Sequence, residues 1–105
     1  MRFFAYDLAL EIICGLREPF AIIRRQDAAL AKQGRDAVNS VALNTAEANG
    51  RSGGERSHHF RIALGSLREV GAVLDIAAAH GWLAEAPLAR ERDRLGGLLF
   101  GLQRR

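Results

Sequence analysis

The sequence has few of the residues from which disulfides and membrane spans are built. Its one cysteine, Cys14, cannot form an internal disulfide, which fits a reducing compartment. Because Cys14 lies in a helical apolar pattern, we expect it to be a small core residue. No apolar run reaches the ~18 residues of a membrane span, and Asp7 and Glu11 interrupt the apolar start, unlike a signal peptide. These features predict a cytoplasmic protein without a membrane partner.

Patterns typical of catalysis and metal binding are also missing. His58 and His59 are adjacent, and no cysteine or further histidine lies at the spacing of zinc ligands. Glu47 and Glu69 could be imagined as a carboxylate pair for acid–base chemistry, but no nucleophile stands near them in sequence. We therefore expect no enzyme activity, no metal and no cofactor, and interpret the chain as a binding protein.

Apolar periodicity predicts a first helix over about 3–17 and a second over about 27–49. Pro19 is expected to end the first helix, because the residue before a proline is disfavoured in the α region. Residues 20–23 would then form an apolar connector that covers the bundle. Asp27 is the predicted N-cap of the second helix, whose buried row consists of small residues.

Two further helices are predicted over about 57–80 and 87–103. Gly50 is expected to end the second helix in a left-handed conformation, and Gly81 to close the third. Pro87 suits the first turn of the last helix. The 105 residues thus predict one domain, 1–105, with an all-α fold: an antiparallel up-and-down four-helix bundle.

Small and polar residues interrupt the apolar pattern of the second and third helices. A glycine in a helix costs about 1 kcal/mol of propensity relative to alanine. The presence of Gly65 within the third helix therefore favours a close approach between helices. We interpret the polar residues as interhelical hydrogen-bonding groups that set the register. Glu47, one of these polar residues, precedes Arg51 by four positions, which is the favoured order for a helical ion pair. The residues assigned to this seam are Asn44, Glu47, Gly65, Ser66 and Glu69.

Two stretches of the second and third predicted helices, residues 33–51 and 60–69, resemble the four-helix-bundle family named for proteins encoded in 23S rRNA intervening sequences. The matching residues are Gln33, Arg35, Ala37, Ser40, Asn44, Ala46, Glu47, Gly50 and Arg51, then Phe60, Ala63, Leu64, Gly65, Ser66, Leu67 and Glu69. Ala42, Thr45 and Ala48 depart from the usual Pro, Ile and Gly. The resemblance implies a bundle that can form a homopentameric ring. It also implies similarity to accessory proteins of diversity-generating retroelements, which bind nucleic acid.

A cluster of basic residues is predicted at one end of the bundle. The net charge is +3 with a pI near 10.0, a mild excess that favours polyanionic partners. In an up-and-down bundle the chain start, the loop between the second and third helices and the chain end share one pole. We name this predicted cluster the basic pole. It contains Arg2, Arg51, Arg56, His58, His59, Arg61, Arg104 and Arg105.

Two functions from different classes remain open at this point. The first is an oligomeric nucleic-acid-binding or ribonucleoprotein accessory protein, whose basic pole would be repeated around a ring and whose RNA or DNA binding would be salt-sensitive. The second is a protein–protein adaptor with apolar grooves and no nucleic-acid role. Phe100 lies off the apolar seam of the last helix, so it either forms a subunit contact or packs on the first helix.

Overall fold

The computed structural model describes residues 3–105, and the regular secondary structure of this part of the chain consists of α-helices alone. The predicted all-α class is confirmed, but the described residues form five helices where four were expected. The longest helix has 27 residues, about 40 Å at 1.5 Å per residue, which matches the 42 Å long axis of the molecule. The helices are α1 (Phe4–Gly15), α2 (Arg17–Gln26), α3 (Ala28–Asn49), α4 (Gly53–Ala79) and α5 (Ala89–Gln103).

The segment predicted as an apolar connector is the helix α2. Pro19 lies in the first turn of α2, where its missing N–H removes no intrahelical hydrogen bond. Phe20 and Ile23, one turn apart, are both buried, so a helical conformation brings both side chains into the core. The predicted stop at Pro19 was therefore wrong: the break falls earlier, between Gly15 and Arg17.

The longest helices, α3 and α4, form an antiparallel pair. Residue numbers rise along α3 as their partners' numbers fall along α4, which fixes the antiparallel direction. From one end to the other, hydrogen bonds join Gln33 to Glu69, Ser40 to Ser66, Asn44 to His59 and Ala48 to Arg56.

The turn between α3 and α4 is shorter than predicted. Gly50 has φ −92°, so the expected left-handed conformation is wrong at that residue, and Gly53 has a positive φ of 59° instead. The helix α4 begins at Gly53 rather than near residue 57, so residues 53–56, which were predicted to belong to the connecting loop, are helical. The Ser57 hydroxyl donates to the Gln103 carbonyl at 2.7 Å, which links the start of α4 to the end of α5.

The end of α4 follows the predicted glycine stop. Gly81 has φ 79°, and its N–H bonds the Ala78 carbonyl at 2.9 Å while the Trp82 N–H bonds the Ala77 carbonyl at 3.0 Å. This pair of bonds is the Schellman arrangement for a helix that ends at a left-handed glycine. Trp82 is partly buried and packs against the core from just beyond the helix.

The helix α5 starts at Ala89, two residues later than predicted, and Pro87 precedes it. The residue between them, Leu88, has a positive φ of 59°, which is uncommon for a residue with a side chain. Its side chain fills the space above Gly15, where an added Cβ would lie 2.7 Å from the Leu88 Cδ1. Packing on the end of α1 therefore accompanies the unusual backbone of this turn.

Two expectations about small residues are corrected. Gly65 is exposed, and a Cβ added there would have no atom of another described helix within 4 Å. The close approach occurs at Gly34 on α3, where an added Cβ would lie 2.9 Å from the Phe20 ring and 3.0 Å from Val73. Cys14 is exposed rather than buried, because the apolar face of α1 turns its neighbours toward the core instead.

Candidate nucleic-acid interface

Arg51, the central residue of the predicted basic pole, is paired with two carboxylates. Its Nε and Nη2 donate to Glu47 Oε1 at 2.8 and 2.5 Å, and its Nη1 donates to Glu55 Oε2 at 3.4 Å. The hydrogen bond from Arg51, followed by its positive charge, lowers the pKa of the Glu47 carboxyl. The same pairing raises the pKa of the Arg51 guanidinium. The charge of Arg51 is thus partly offset by two exposed carboxylates.

Other members of the basic pole contact neighbouring groups. The Arg56 guanidinium lies 4.9 Å from the centre of the Phe60 ring and donates to a carbonyl of α3 at 3.2 Å. Arg104 lies 5.3 Å from the centre of the Phe100 ring. The His59 Nδ1 is 2.9 Å from Asn44 Oδ1. These contacts leave fewer groups free to bind phosphate than the sequence indicated.

The remaining members of the basic pole differ in what surrounds them. The exposed His58 ring contacts the His59 ring edge-on. Arg61 and Arg105 are exposed, and within residues 3–105 their guanidiniums have no ion pair or hydrogen bond. Arg2 lies outside the described residues. Only two guanidiniums of the described part of the pole are therefore without a partner.

A second basic surface, which the sequence did not indicate, lies between α2 and α3. It is a groove of about 620 Å³ with four exposed arginines along it. In the described part of the chain none of these four guanidiniums has an ion pair or a hydrogen bond. We name it the arginine groove. Its lining residues are Ile13, Arg17, Phe20, Ala21, Arg24, Arg25, Arg35, Val38 and Asn39.

Helical spacing produces the arginine groove. On α2, Arg17, Ala21 and Arg24 follow one another at intervals of four and three residues, so they share one face. On α3, Arg35 and Asn39 are likewise one turn apart. The two helices come close together because the ring of Phe20 packs on a glycine of α3. The groove therefore depends on the helix that was predicted as a connector.

Nearby carboxylates are engaged elsewhere or lie off the groove. Asp36 pairs with Lys32 at 2.8 Å on the exposed side of α3. The Asp27 Oδ1 accepts the Leu30 N–H at 3.0 Å, which confirms the predicted N-cap. Glu18 is exposed but does not line the groove. The cluster of four arginines thus has no acidic residue in its lining.

The α3–α4 seam contains most of the polar residues assigned to it. Ser40 and Ser66 share a hydrogen bond of 2.8 Å, and Asn44 Nδ2 donates to the Ser40 hydroxyl at 3.1 Å. Glu69 accepts from Gln33 at 3.2 Å. Glu47 instead bonds Arg51, and Gly65 contacts no neighbouring helix in the described chain. The hydrogen bonds of the seam fix the alignment of α3 with α4.

Between residues 3 and 105 no three His, Cys, Asp or Glu side chains are grouped so that they could hold a metal ion. In the same range no helix combines the length and apolar character needed to cross a membrane.

The fold and the seam define an all-α protein built on a long antiparallel helix pair, with a cationic groove beside it. Residues 4–99 match the family model described as 23S rRNA-intervening sequence protein. The match covers most of the chain, so the chain belongs to this family and the resemblance of its two motifs is confirmed. Comparisons with curated proteins and with solved structures each found no match.

Proposed function

We propose that this chain is a self-associating, non-enzymatic protein of the cytoplasm that binds nucleic acid, with RNA as the first ligand to test. The observation that carries the proposal is the arginine groove, with four guanidiniums that have no partner among the described residues. Of the 15 basic residues, 14 are arginine and one is Lys32. Arginine binds phosphate through two parallel N–H groups, so this composition suits a phosphodiester ligand.

The proposed fold of one chain is an up-and-down four-helix bundle. In this arrangement α1 and α2 together take the place of one kinked helix, and α3, α4 and α5 are the other three helices. Two features support self-association. Leu43, Ile62 and Ile76 expose 69, 37 and 43% of their surface, and Gly65 leaves open space on α4. The homopentamer implied by the resemblance is the proposed state.

Self-association predicts a solution mass that is a multiple of the 11.5 kDa chain. Light scattering coupled to size exclusion measures it directly, and a fivefold mass is the expected result. Replacing Leu43 by Glu should reduce the mass, because a charge would be buried in the proposed contact. Replacing the exposed Leu10, which lies on α1, by Glu is the control and should leave the mass unchanged. A single-chain mass at high concentration would contradict the proposal.

Nucleic-acid binding predicts an affinity that falls steeply with salt, because bound phosphates release condensed counterions. The test is fluorescence anisotropy with a labelled RNA at several salt concentrations. Neutralising Arg24, Arg25 and Arg35 together to Gln should weaken binding at least tenfold and flatten the dependence on salt. Neutralising three residues of the basic pole to Gln should have a smaller effect, because one of the three guanidiniums already lies over an aromatic ring. The control residues are Arg61, Arg104 and Arg105.

The outcome of this experiment separates three readings. A larger loss in the groove variant than in the pole variant supports the proposal. Equal losses of affinity in the two variants would show that RNA binds through the overall positive charge and not through the arginine groove. No change of anisotropy at low salt with micromolar protein would overturn nucleic-acid binding.

A protein–protein adaptor is the second candidate, favoured by a groove of about 440 Å³ between α4 and α5. Phe100 lines this groove with 47% of its surface exposed, and an aromatic anchor of this kind is typical of binding hot spots. The adaptor function would be supported by a stoichiometric partner whose binding is lost in Phe100→Ala while RNA binding is unchanged.

A further inference from the structure

We infer that the arginine groove binds a single-stranded segment of nucleic acid, with phosphates on the arginines and one unpaired base on the apolar floor between them. This inference rests on the proposed function and specifies its ligand. It is carried by the combination of groups in one groove: four guanidiniums, a set of apolar side chains and one free amide. Each of the three has a separate role in the argument.

The arginine groove contains apolar side chains as well as guanidiniums. A surface that binds only phosphate needs exposed charge and no apolar area, as in non-specific binding. The arginine groove instead has an apolar floor, in which Ala21 is exposed, Ile13 is half-buried, and Phe20 and Val38 are buried. An unstacked base has two apolar faces, so burying one of them on this floor removes apolar area from water. The guanidinium planes at the rim can also stack on a base.

The arginine groove also contains the side-chain amide of an asparagine. Asn39 lines the groove, is exposed, and has no hydrogen-bond partner in the part of the chain that the structure describes. An asparagine side chain offers both donors and an acceptor, which matches the mixed edges of the bases. Asn39 lies one turn from Arg35 on α3. A base on the floor would therefore have a polar partner at its edge and a cation near its phosphate.

The form of the ligand follows from the position of the floor. In a duplex the bases are stacked and paired, so their faces cannot reach an apolar surface below a rim of arginines. Single strands present unpaired bases that can be splayed onto a protein surface. A duplex could contact the arginines through its phosphates but would leave the floor and Asn39 unused.

The test compares three labelled ligands by anisotropy: a ten-nucleotide RNA, a strand of equal charge with abasic positions, and the RNA duplex. The single strand should bind at least fivefold more tightly than the abasic strand, in keeping with about 1–3 kcal/mol per stacked base. Asn39→Ala should weaken binding of the RNA strand and leave binding of the abasic strand unchanged. Asn49→Ala, at the exposed end of the same helix, is the matched control.

Each result decides a different point. Equal affinity of the RNA and abasic strands, or the same weakening by Asn39→Ala for both, would overturn the base-binding inference while nucleic-acid binding stands. Competition by a polyglutamate peptide as strong as that by RNA of equal charge would overturn the inference and favour an acidic peptide. Absence of binding by all three ligands at low salt would overturn the proposed function itself.

Discussion

Thr45 is the buried polar residue of the core, and its hydroxyl makes no hydrogen bond among the described residues. A buried hydroxyl without a partner carries an uncompensated desolvation cost of about 1–3 kcal/mol. The neighbouring polar residues of the seam, Ser40 and Asn44, all have partners. The cost therefore falls on one atom, at a position where the family pattern usually has isoleucine.

Thr45→Val should raise the free energy of unfolding by about 1 kcal/mol, because the same shape is kept and the unpaired hydroxyl is removed. Urea denaturation followed by circular dichroism measures the change. Thr45→Ser is the matched control: it keeps the hydroxyl, loses a methyl group and should lower stability. Equal or reduced stability in Thr45→Val would show that the hydroxyl has a partner in solution.

Residue chemistry that acts over a few positions was predictable from the sequence. The Asp27 cap and the Gly81 stop depend only on local backbone geometry, and both were found as expected. Whether an arginine is free depends on residues that the fold brings near it. The hydrogen bond from Arg56 to the Ala48 carbonyl could not be assigned from the sequence, since it requires α3 and α4 to pack side by side.

At the scale of helices, the main difference between prediction and structure is α2. Its ten residues contain a proline and adjoin a break, so local rules favoured an irregular connector. Tertiary packing decided the matter, because Phe20 and Ile23 must both reach the core. The spacing of Arg17, Ala21 and Arg24 was the available signal for a helix, and with it for the arginine groove.

Two glycines on the paired helices should respond in opposite ways to alanine. In Gly34→Ala the new methyl would meet the Phe20 ring at 2.9 Å, and overpacking of about 1–3 kcal/mol should exceed the ~1 kcal/mol gain in helix propensity. In Gly65→Ala nothing in the described chain lies near the new methyl, so stability of the isolated chain should rise by up to about 1 kcal/mol.

Thermal and urea denaturation of the two variants at low protein concentration measures these changes. The sign of the difference is the informative quantity, since both substitutions are the same chemically and both lie within helices. Stabilisation by Gly34→Ala would show that α2 does not pack on α3 as closely as described. A lower solution mass for Gly65→Ala would place Gly65 in the contact between copies.

Across the whole molecule, the balance of charge is less informative than its placement. The net charge of +3 is small, yet four arginines lie along one groove whose lining contains no acidic residue. The predicted basic pole is instead partly neutralised by Glu47 and Glu55. The fold class and the seam could be read from periodicity and motif. The distribution of charge over the surface could not be predicted in this way, because it depends on how the fold brings together residues of different helices.

The location of the bound ligand tests the central claim most directly. Amide chemical shifts of the ¹⁵N-labelled protein, followed while a short single-stranded RNA is added, report which surface is contacted. We predict that the shifts concentrate in residues 13–25 and 35–39, on the two sides of the arginine groove. Shifts concentrated in residues 51–61 and 104–105, with the groove unchanged, would contradict the account and return the binding surface to the basic pole.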